Sequence, residues 1–402
     1  MPRRVVITGL GAISALGHNT DDFWTALCGG HSAIRPFQNI STELLTATIG
    51  AEVVNFNPEQ YILPKELSLF DRFAQFALVA SREAIDDAAL GEDEIRSAAA
   101  VIGTCLGAEH TYEESYRSLY VDGKRRVHPL TAPKGMPSAA ASQVSMQCGI
   151  TGPVFTVCSA CSSAAHSIIQ AALMIRSGIV DVAVAGGAEA PLSLVLLKSF
   201  EGLRALSNDT CRPFSQDRSG LVLGEGSGVV VLESYEHARR RGADIYAELA
   251  GFGMSSDAGH ITAPAVEGIS RAMQAALLDA GVATTEVDYI NAHGTGTQVN
   301  DVAETSAING VFGDYAAELA VSSTKSMHGH TLGAAGGLEL VATVRAIREG
   351  IAPPTANFTK AGEGCNLDYV PNIARDMRID VALSNSFAFG GLNAVLVLRS
   401  LS

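Results

Sequence analysis

One pattern is written twice along this chain: short runs of Val, Ile and Ala, then stretches with apolar residues at helical spacing, with glycine at the joints. In the first half Val5–Thr8, Ala99–Gly103 and Val154–Val157 read as strands, and a helix is expected over Ser162–Arg176 with Gly178 as its stop. Val180–Ala185 then reads as a buried strand ending in Gly186-Gly187. The second half repeats the order at lower contrast. Strands are expected at Ala247–Gly253, Val287–Asn291 and Leu319–Ser322, helices at Ile269–Ala280 and from Leu332 to Arg348, and closing strands at Val381–Leu383 and Asn393–Leu398. Such alternation predicts parallel sheets covered by helices. The fold class is α/β: two similar α/β halves, residues 1–242 and 243–402, fused without a low-complexity linker into a five-layered α/β/α/β/α arrangement. The turn-rich, charged stretch Glu109–Ser138 belongs at a surface or a dimer edge.

Composition narrows the function. Only 17% of the residues are charged and 47% are apolar, which fits a chain with a large core rather than a disordered one. A net charge of −14 argues against non-specific nucleic-acid binding, which needs a basic footprint. No apolar run is long enough to span a bilayer, and the start runs straight into a strand pattern that lacks the long apolar segment and cleavage site expected of a signal peptide. Seven cysteines at irregular spacing do not make a disulfide framework, so a cytoplasmic location is expected.

The chemistry concentrates at three corners. Cys161 stands in Thr156-Val157-Cys158-Ser159-Ala160-Cys161-Ser162-Ser163-Ala164-Ala165-His166, where an extended stretch gives way to an apolar helix. A helix N-terminus favours thiolate over thiol, so Cys161 is expected to be a nucleophile. Two Gly-rich turns downstream carry His293 in Asn291-Ala292-His293-Gly294-Thr295-Gly296-Thr297, and His330 in Lys325-Ser326-Met327-His328-Gly329-His330. One Cys with two His on such corners points to carbon–sulfur acyl chemistry. Either histidine alone is as compatible with a structural role. His166 reads as a hydrogen-bonded packing residue and His328 as an accessory one.

Other signatures fail. Gly9-Leu10-Gly11-Ala12-Ile13-Ser14 lacks the third glycine of a dinucleotide fingerprint. Cys158 and Cys161 form a CxxC, but no second pair with matching spacing completes a structural zinc site, so no metal is expected. Gly224-Glu225-Gly226-Ser227-Gly228 reads as a turn before a strand at Val229–Leu232.

Cys161, His293, Lys325, His330 and the turn Phe387-Ala388-Phe389-Gly390-Gly391, in this order, resemble the elongating β-ketoacyl–acyl carrier protein synthases, the type II condensing enzymes of the thiolase fold. The likeness runs from Arg4 to the C-terminus. Within it, Thr131–Ser138 and Asp209–Ser215 are similar to the nodulation protein E branch, and Gly251–Ala258 to the housekeeping synthase. The resemblance implies that Cys161 takes an acyl chain from the phosphopantetheine of an acyl carrier protein. Malonyl–carrier protein then loses its carboxyl group, and its enolate attacks the acyl-cysteine. It implies His293 and His330 as donors to the enolate oxygen, Lys325 with Glu339 as their support, and Thr295 and Thr297 as partners of the pantetheine amides. Phe389 is the implied gate, with Ala388 and Gly390 in its turn; Ala388 stands where the housekeeping pattern has glycine, and its Cβ restricts the turn. Leu106 and Phe200 are the implied walls of an acyl tunnel.

No resident cofactor is implied, and a homodimer is. Carrier proteins of such pathways are acidic, as this chain is, so docking needs a local basic patch. Lys124, Arg125, Arg126 and Arg204 are the residues that match the family's docking region. A specialised synthase making the acyl group of a signal lipid or of a very long chain fatty acid is the alternative pathway. A non-catalytic chain-length partner is the alternative class, and the presence of Cys161 weighs against it. Degradative thiolases use a second catalytic cysteine and initiating synthases pair Cys with His and Asn; the two-His pattern fits neither.

Overall fold

The first strand, β1 (Val5–Ser14), is buried throughout and runs well past Thr8. It continues through Gly9 and Gly11 because helix α1 (Arg72–Asp87) lies directly on them. A Cβ on Gly9 would sit 2.1 Å from the Ala84 carbonyl oxygen, and one on Gly11 1.9 Å from that of Ala80. The Gly-rich run that imitates half a dinucleotide fingerprint is therefore a helix-on-strand contact. The computed structural model describes residues 3–401.

The remaining strands of the main sheet are β2 (Ala99–Gly103), β3 (Val154–Phe155), β4 (Val182–Glu189), β5 (Gly226–Ser234), β6 (Ala247–Ser256), β7 (Tyr289–Asn291), β8 (Ala320–Ser322), β9 (Val381–Ala388) and β10 (Leu392–Arg399). Their spatial order is β8-β7-β9-β10-β6-β1-β5-β4-β2-β3. Renumbered within each half, both halves read 3-2-4-5-1, so the repeat seen in the sequence is a repeat of topology. The two half-sheets join edge to edge through a short antiparallel pairing, Val6 opposite Glu248 and Ile7 opposite Ala247.

The expectation of parallel sheets needs correcting. Strand pairs β2–β3, β2–β4, β7–β8 and β7–β9 are parallel, but β4–β5, β5–β1, β9–β10 and β10–β6 are antiparallel. Two strand boundaries also move. Gly186-Gly187 lies inside β4, which continues to Glu189, and Gly226–Gly228 opens β5 instead of forming a turn. The glycines permit close approach there: a Cβ on Gly186 would lie 2.1 Å from the Gly228 oxygen.

Helices α1 and α2 (Ala139–Cys148) cover the outer face of the first half-sheet, while α4 (Val266–Ala280) and α5 (Gln298–Phe312) cover that of the second. Between the half-sheets lie α3 (Ser163–Arg176) and α6 (Ala335–Glu349). Three large apolar clusters fill the spaces, one in the central layer and one under each outer pair. This is the five-layered order expected. The stretch 109–138 is more helical than its turn signals indicate. Glu109–Tyr116 and Arg117–Val121 are helical, with Tyr112 stacked on Tyr116 and Tyr116 tilted against Tyr120, which is exposed.

The central layer depends on one glycine-to-glycine crossing, where α6 meets β5. A Cβ on Gly228 would lie 2.2 Å from the Leu338 nitrogen, and a Cβ on Gly337 2.2 Å from the Gly228 oxygen. Both obstacles are backbone and cannot rotate away. Gly228→Ala is therefore expected to cost about 1–3 kcal/mol or more through overpacking, read as a lowered Tm and reduced soluble yield. An unchanged melting curve contradicts this packing.

Candidate active site

Cys161 lies on a strained corner between β3 and α3. Ala160, just before it, takes a left-handed φ of +50°, a conformation costing a non-glycine residue roughly 1–2 kcal/mol. Serine hydroxyls hold the bend. Ser163 Oγ accepts the Ser159 N–H at 2.9 Å and donates to the Ala160 carbonyl at 2.7 Å. Ser162 Oγ donates to the carbonyls of Leu392 at 2.7 Å and Ser386 at 3.0 Å, tying the corner to the β9–β10 hairpin. The helix proper starts at Ser163.

The histidines arrive from the other half. His293 follows β7 in a turn whose Gly294 and Gly296 have φ of +35° and +79°. His330 follows the helical turn Lys325–His328 and Gly329, whose φ is +68°. All three corners leave the C-terminal ends of parallel strands, where α/β sheets place their sites. One ligand atom each of Cys161, His293 and His330 lie within 4.8 Å of one another. His330 Nε2 is 3.1 Å from Cys161 Sγ, and the two imidazoles meet edge to face at 5.3 Å.

Hydrogen bonds fix the tautomers. Lys325 Nζ, which can only donate as an ammonium, lies 3.3 Å from His293 Nδ1 and 2.7 Å from the His293 carbonyl, and it also bonds Glu339. His330 Nδ1 accepts the Leu332 N–H at 3.3 Å. Each ring therefore carries its proton on Nε2, the atom facing the cavity. Burial first, then the Lys325 charge and the neighbouring rings (His330 for His293, His328 for His330), hold both well below the ordinary imidazole range. Both are neutral donors near pH 7.

Cys161 departs from the thiolate expectation. Burial pushes the thiol up to about 11, against the opposing pull of the Lys325 charge and the Phe389 N–H. Desolvation outweighs the helix end, partly because Cys161 precedes the first helical turn. At rest the sulfur is a thiol.

A cavity of about 300 Å³ opens over the sulfur, lined among others by Phe200, Arg204, Thr295, Thr297, Ala388 and Phe389. Phe389 stacks on Phe200 with centroids 6.4 Å apart. The hydroxyls of Thr295 and Thr297 are 2.9 Å apart. Two expected substrate contacts lie off the lining. Leu106 packs in the apolar cluster around Cys161, and Gly390 turns outward, its N–H donating to the Ile261 carbonyl at 2.7 Å. Arg204 borders the mouth; Lys124, Arg125 and Arg126 are exposed but do not line it. His166 is a hydrogen-bonded packing residue as expected, 2.7 Å from Ser159 Oγ, and His328 Nε2 lies 2.9 Å from Thr324 Oγ1.

Two buried carboxylates were not anticipated. Glu304 accepts the N–H groups of His293 and Gly294, each at 2.8 Å, and Asp301 accepts those of Phe214 at 2.7 Å and Gly296 at 3.2 Å. Together they shape the His293 turn. Both project from α5, whose buried face is unusually polar, so no apolar period marks them.

With this geometry in place, comparisons with known proteins give the family. The descriptions "Beta-ketoacyl synthase, N-terminal domain" and "Beta-ketoacyl synthase, C-terminal domain" match residues 2–238 and 246–359. Nodulation protein E of Rhizobium sp. (strain N33) is 52% identical over 402 residues, covering 99% of this chain and 100% of that protein. The 3-oxoacyl-[acyl-carrier-protein] synthase 2 of Coxiella burnetii (strain RSA 493 / Nine Mile phase I) is 44% identical over 406 residues, covering 98% of each chain. Among solved structures, the ishigamide ketosynthase/chain length factor superposes with TM-score 0.96 at 38% identity over 100% of both chains. A type II PKS acyl-carrier protein in complex with its ketosynthase gives 0.91 at 34%, again over 100% of both. The doubled architecture is the thiolase-like fold, and the chain belongs to the β-ketoacyl synthase family of condensing acyltransferases.

Proposed function

We propose that Cys161, His293 and His330 perform an elongating decarboxylative condensation between an acyl thioester and malonyl–acyl carrier protein. The 3.1 Å contact between His330 Nε2 and Cys161 Sγ, with His293 beside it, carries this reading. In the first half-reaction the Cys161 sulfur bonds the acyl carbon, and the carrier's pantetheine leaves as its thiol with the proton that Cys161 gives up. In the second, the malonyl C–C bond breaks and carbon dioxide departs. The electron pair passes to the thioester oxygen, held by Nε2–H of His293 and His330. The enolate carbon then attacks the acyl carbonyl. The resulting oxyanion rests against the N–H groups of Cys161 and Phe389, and collapse expels the Cys161 sulfur as a thiolate, which takes one proton from solvent to restore the resting thiol. Each preorganised donor supplies about 3–4 kcal/mol of barrier lowering.

Thr295 and Thr297 fit the pantetheine amides at the cavity wall. Arg204, with Lys124, Arg125 and Arg126, supplies the basic contacts that a chain of charge −14 needs for an acidic carrier. The solved relative in which a type II PKS acyl-carrier protein is bound to its ketosynthase supports this partner. The protein acts without a resident cofactor, as a cytoplasmic homodimer, and divides near Gly242 into a nucleophile half and a histidine half. Greater identity to nodulation protein E than to the synthase 2 enzymes favours a specialised acyl group over housekeeping elongation. Product analysis with purified carrier protein decides between them.

Cys161→Ala is expected to abolish acyl transfer while malonyl decarboxylation persists; condensation at the wild-type rate in that variant refutes the assignment. His293→Ala is expected to slow decarboxylation by on the order of 10²–10³-fold with acylation of Cys161 largely retained. The paired change Lys325→Met with Glu339→Gln, which keeps the core neutral, is expected to slow condensation by on the order of 10²-fold as His293 loses its fixed tautomer. A rate within twofold or so of wild type removes Lys325 from the mechanism. With the thiol raised to about 11, iodoacetamide labelling of Cys161 should climb about tenfold per pH unit from 8 to 10, followed by peptide mass spectrometry. A plateau by pH 8 contradicts the resting thiol.

A further inference from the structure

Glu189 closes strand β4 and is fully buried, yet no cation pairs with it among the described residues. Burial pushes its carboxyl up to about 7, against the pull of the neutral donors that surround it, so it is mostly ionised at pH 8. Oε1 accepts Thr104 Oγ1 at 2.9 Å and the Leu106 N–H at 3.2 Å; Oε2 accepts the Cys105 N–H at 2.6 Å and the Gly333 N–H at 3.0 Å.

These donors belong to two separate walls of the site. Thr104–Leu106 follows β2 in the first half, and its Thr104 carbonyl lies 3.2 Å from Ser163 Oγ, sharing with the Ala160 carbonyl the one proton of the hydroxyl that holds the Cys161 corner. Gly333 belongs to the second half, three residues beyond His330, next to the Leu332 N–H that sets the His330 tautomer. The approach is so close that a Cβ on Gly333 would lie 2.3 Å from the Cys105 nitrogen and 2.4 Å from Glu189 Oε2. One carboxylate thus clamps the turn beside the Cys161 corner to the turn that carries His330.

We propose that Glu189 is a positioning residue for the condensation, setting the Cys161–His330 separation by bridging the Thr104–Leu106 turn and the His330–Gly333 turn. The inference rests on the reading of Cys161 and His330 given above. Its charge also opposes thiolate formation at Cys161, which supplies a second, independent readout.

The test compares wild type with Glu189→Gln and Glu189→Asp in the full-length protein. Steady-state condensation uses acyl and malonyl carrier protein, and Cys161 labelling by iodoacetamide is measured at pH 8. Glu189→Gln is near-isosteric but brings an amide N–H toward the donors. It is expected to lower kcat about 10–100-fold, with KM for malonyl–carrier protein within about twofold, because misplacement on the ångström scale costs that much. Loss of the charge should at the same time speed Cys161 labelling about threefold. A general loss of structure slows catalysis without that pairing. Glu189→Asp keeps the charge but cannot span both turns, so kcat falls while labelling does not rise. Should Glu189→Gln not be recovered folded, Thr104→Val, which removes one donor, is expected to lower kcat about fivefold. Unchanged kcat in whichever variant folds overturns the proposal for Glu189, whereas absence of condensation by wild type overturns the functional reading itself.

Discussion

Beneath the site, Lys325 and Glu339 form an ion pair with both side chains wholly removed from solvent. Two charges placed so deep are costly, and removing one partner of such a pair typically costs about 3–5 kcal/mol. What the pair gains is direction. The ammonium is spent on Glu339, on the His293 carbonyl and on His293 Nδ1, leaving that ring one way to hold its proton. The same charge discourages protonation of His293 and His330, so both remain neutral donors. In the condensation proposed above, an enolate oxygen approaching Cys161 would meet two aimed N–H groups.

The doubled topology explains how these groups meet. Cys161 follows β3 and His330 follows β8, the equivalent third strand of each half; α3 and α6 then enter the shared central layer. A pseudo-repeat thus delivers Cys161 from one copy and the two histidines from the other. The meeting has to be close, and glycine allows it at Gly228 against Gly337 and at Gly333 against Cys105. Serine and carboxylate side chains complete the joint: Ser162 to the β9–β10 hairpin, Glu304 and Asp301 around His293, Glu189 across both walls. Each of these side chains hydrogen-bonds the backbone of a turn that carries Cys161, His293 or His330 or lies against it.

The sequence made the repeat and the three corners legible because each has a local signature: apolar runs with a period, and Cys or His beside glycine. The α3 helix and the positions of Cys161, His293, Lys325 and His330 follow from those signals. Strand direction did not, since antiparallel β5 and β10 arise from pairing between distant segments that alternation alone does not encode. Helix α5 was missed because its buried face carries Asn300, Asp301, Glu304 and Thr305, which hides the apolar period. The ionisation of Cys161 was misjudged for a related reason. A helix end can be read from sequence, but the depth of burial that outweighs it is a property of the assembled layers. Residues marked by resemblance alone came out unevenly: Phe200 and Phe389 stack at the cavity, whereas Leu106 and Gly390 stand off its lining.

The paired-donor site depends on where two protons sit. Neutron diffraction from deuterium-exchanged crystals near pH 7 locates them directly. A deuteron on Nε2 and none on Nδ1 is expected for both His293 and His330. A deuteron on Nδ1 of either ring, or an imidazolium at either position, contradicts the paired-donor arrangement over Cys161.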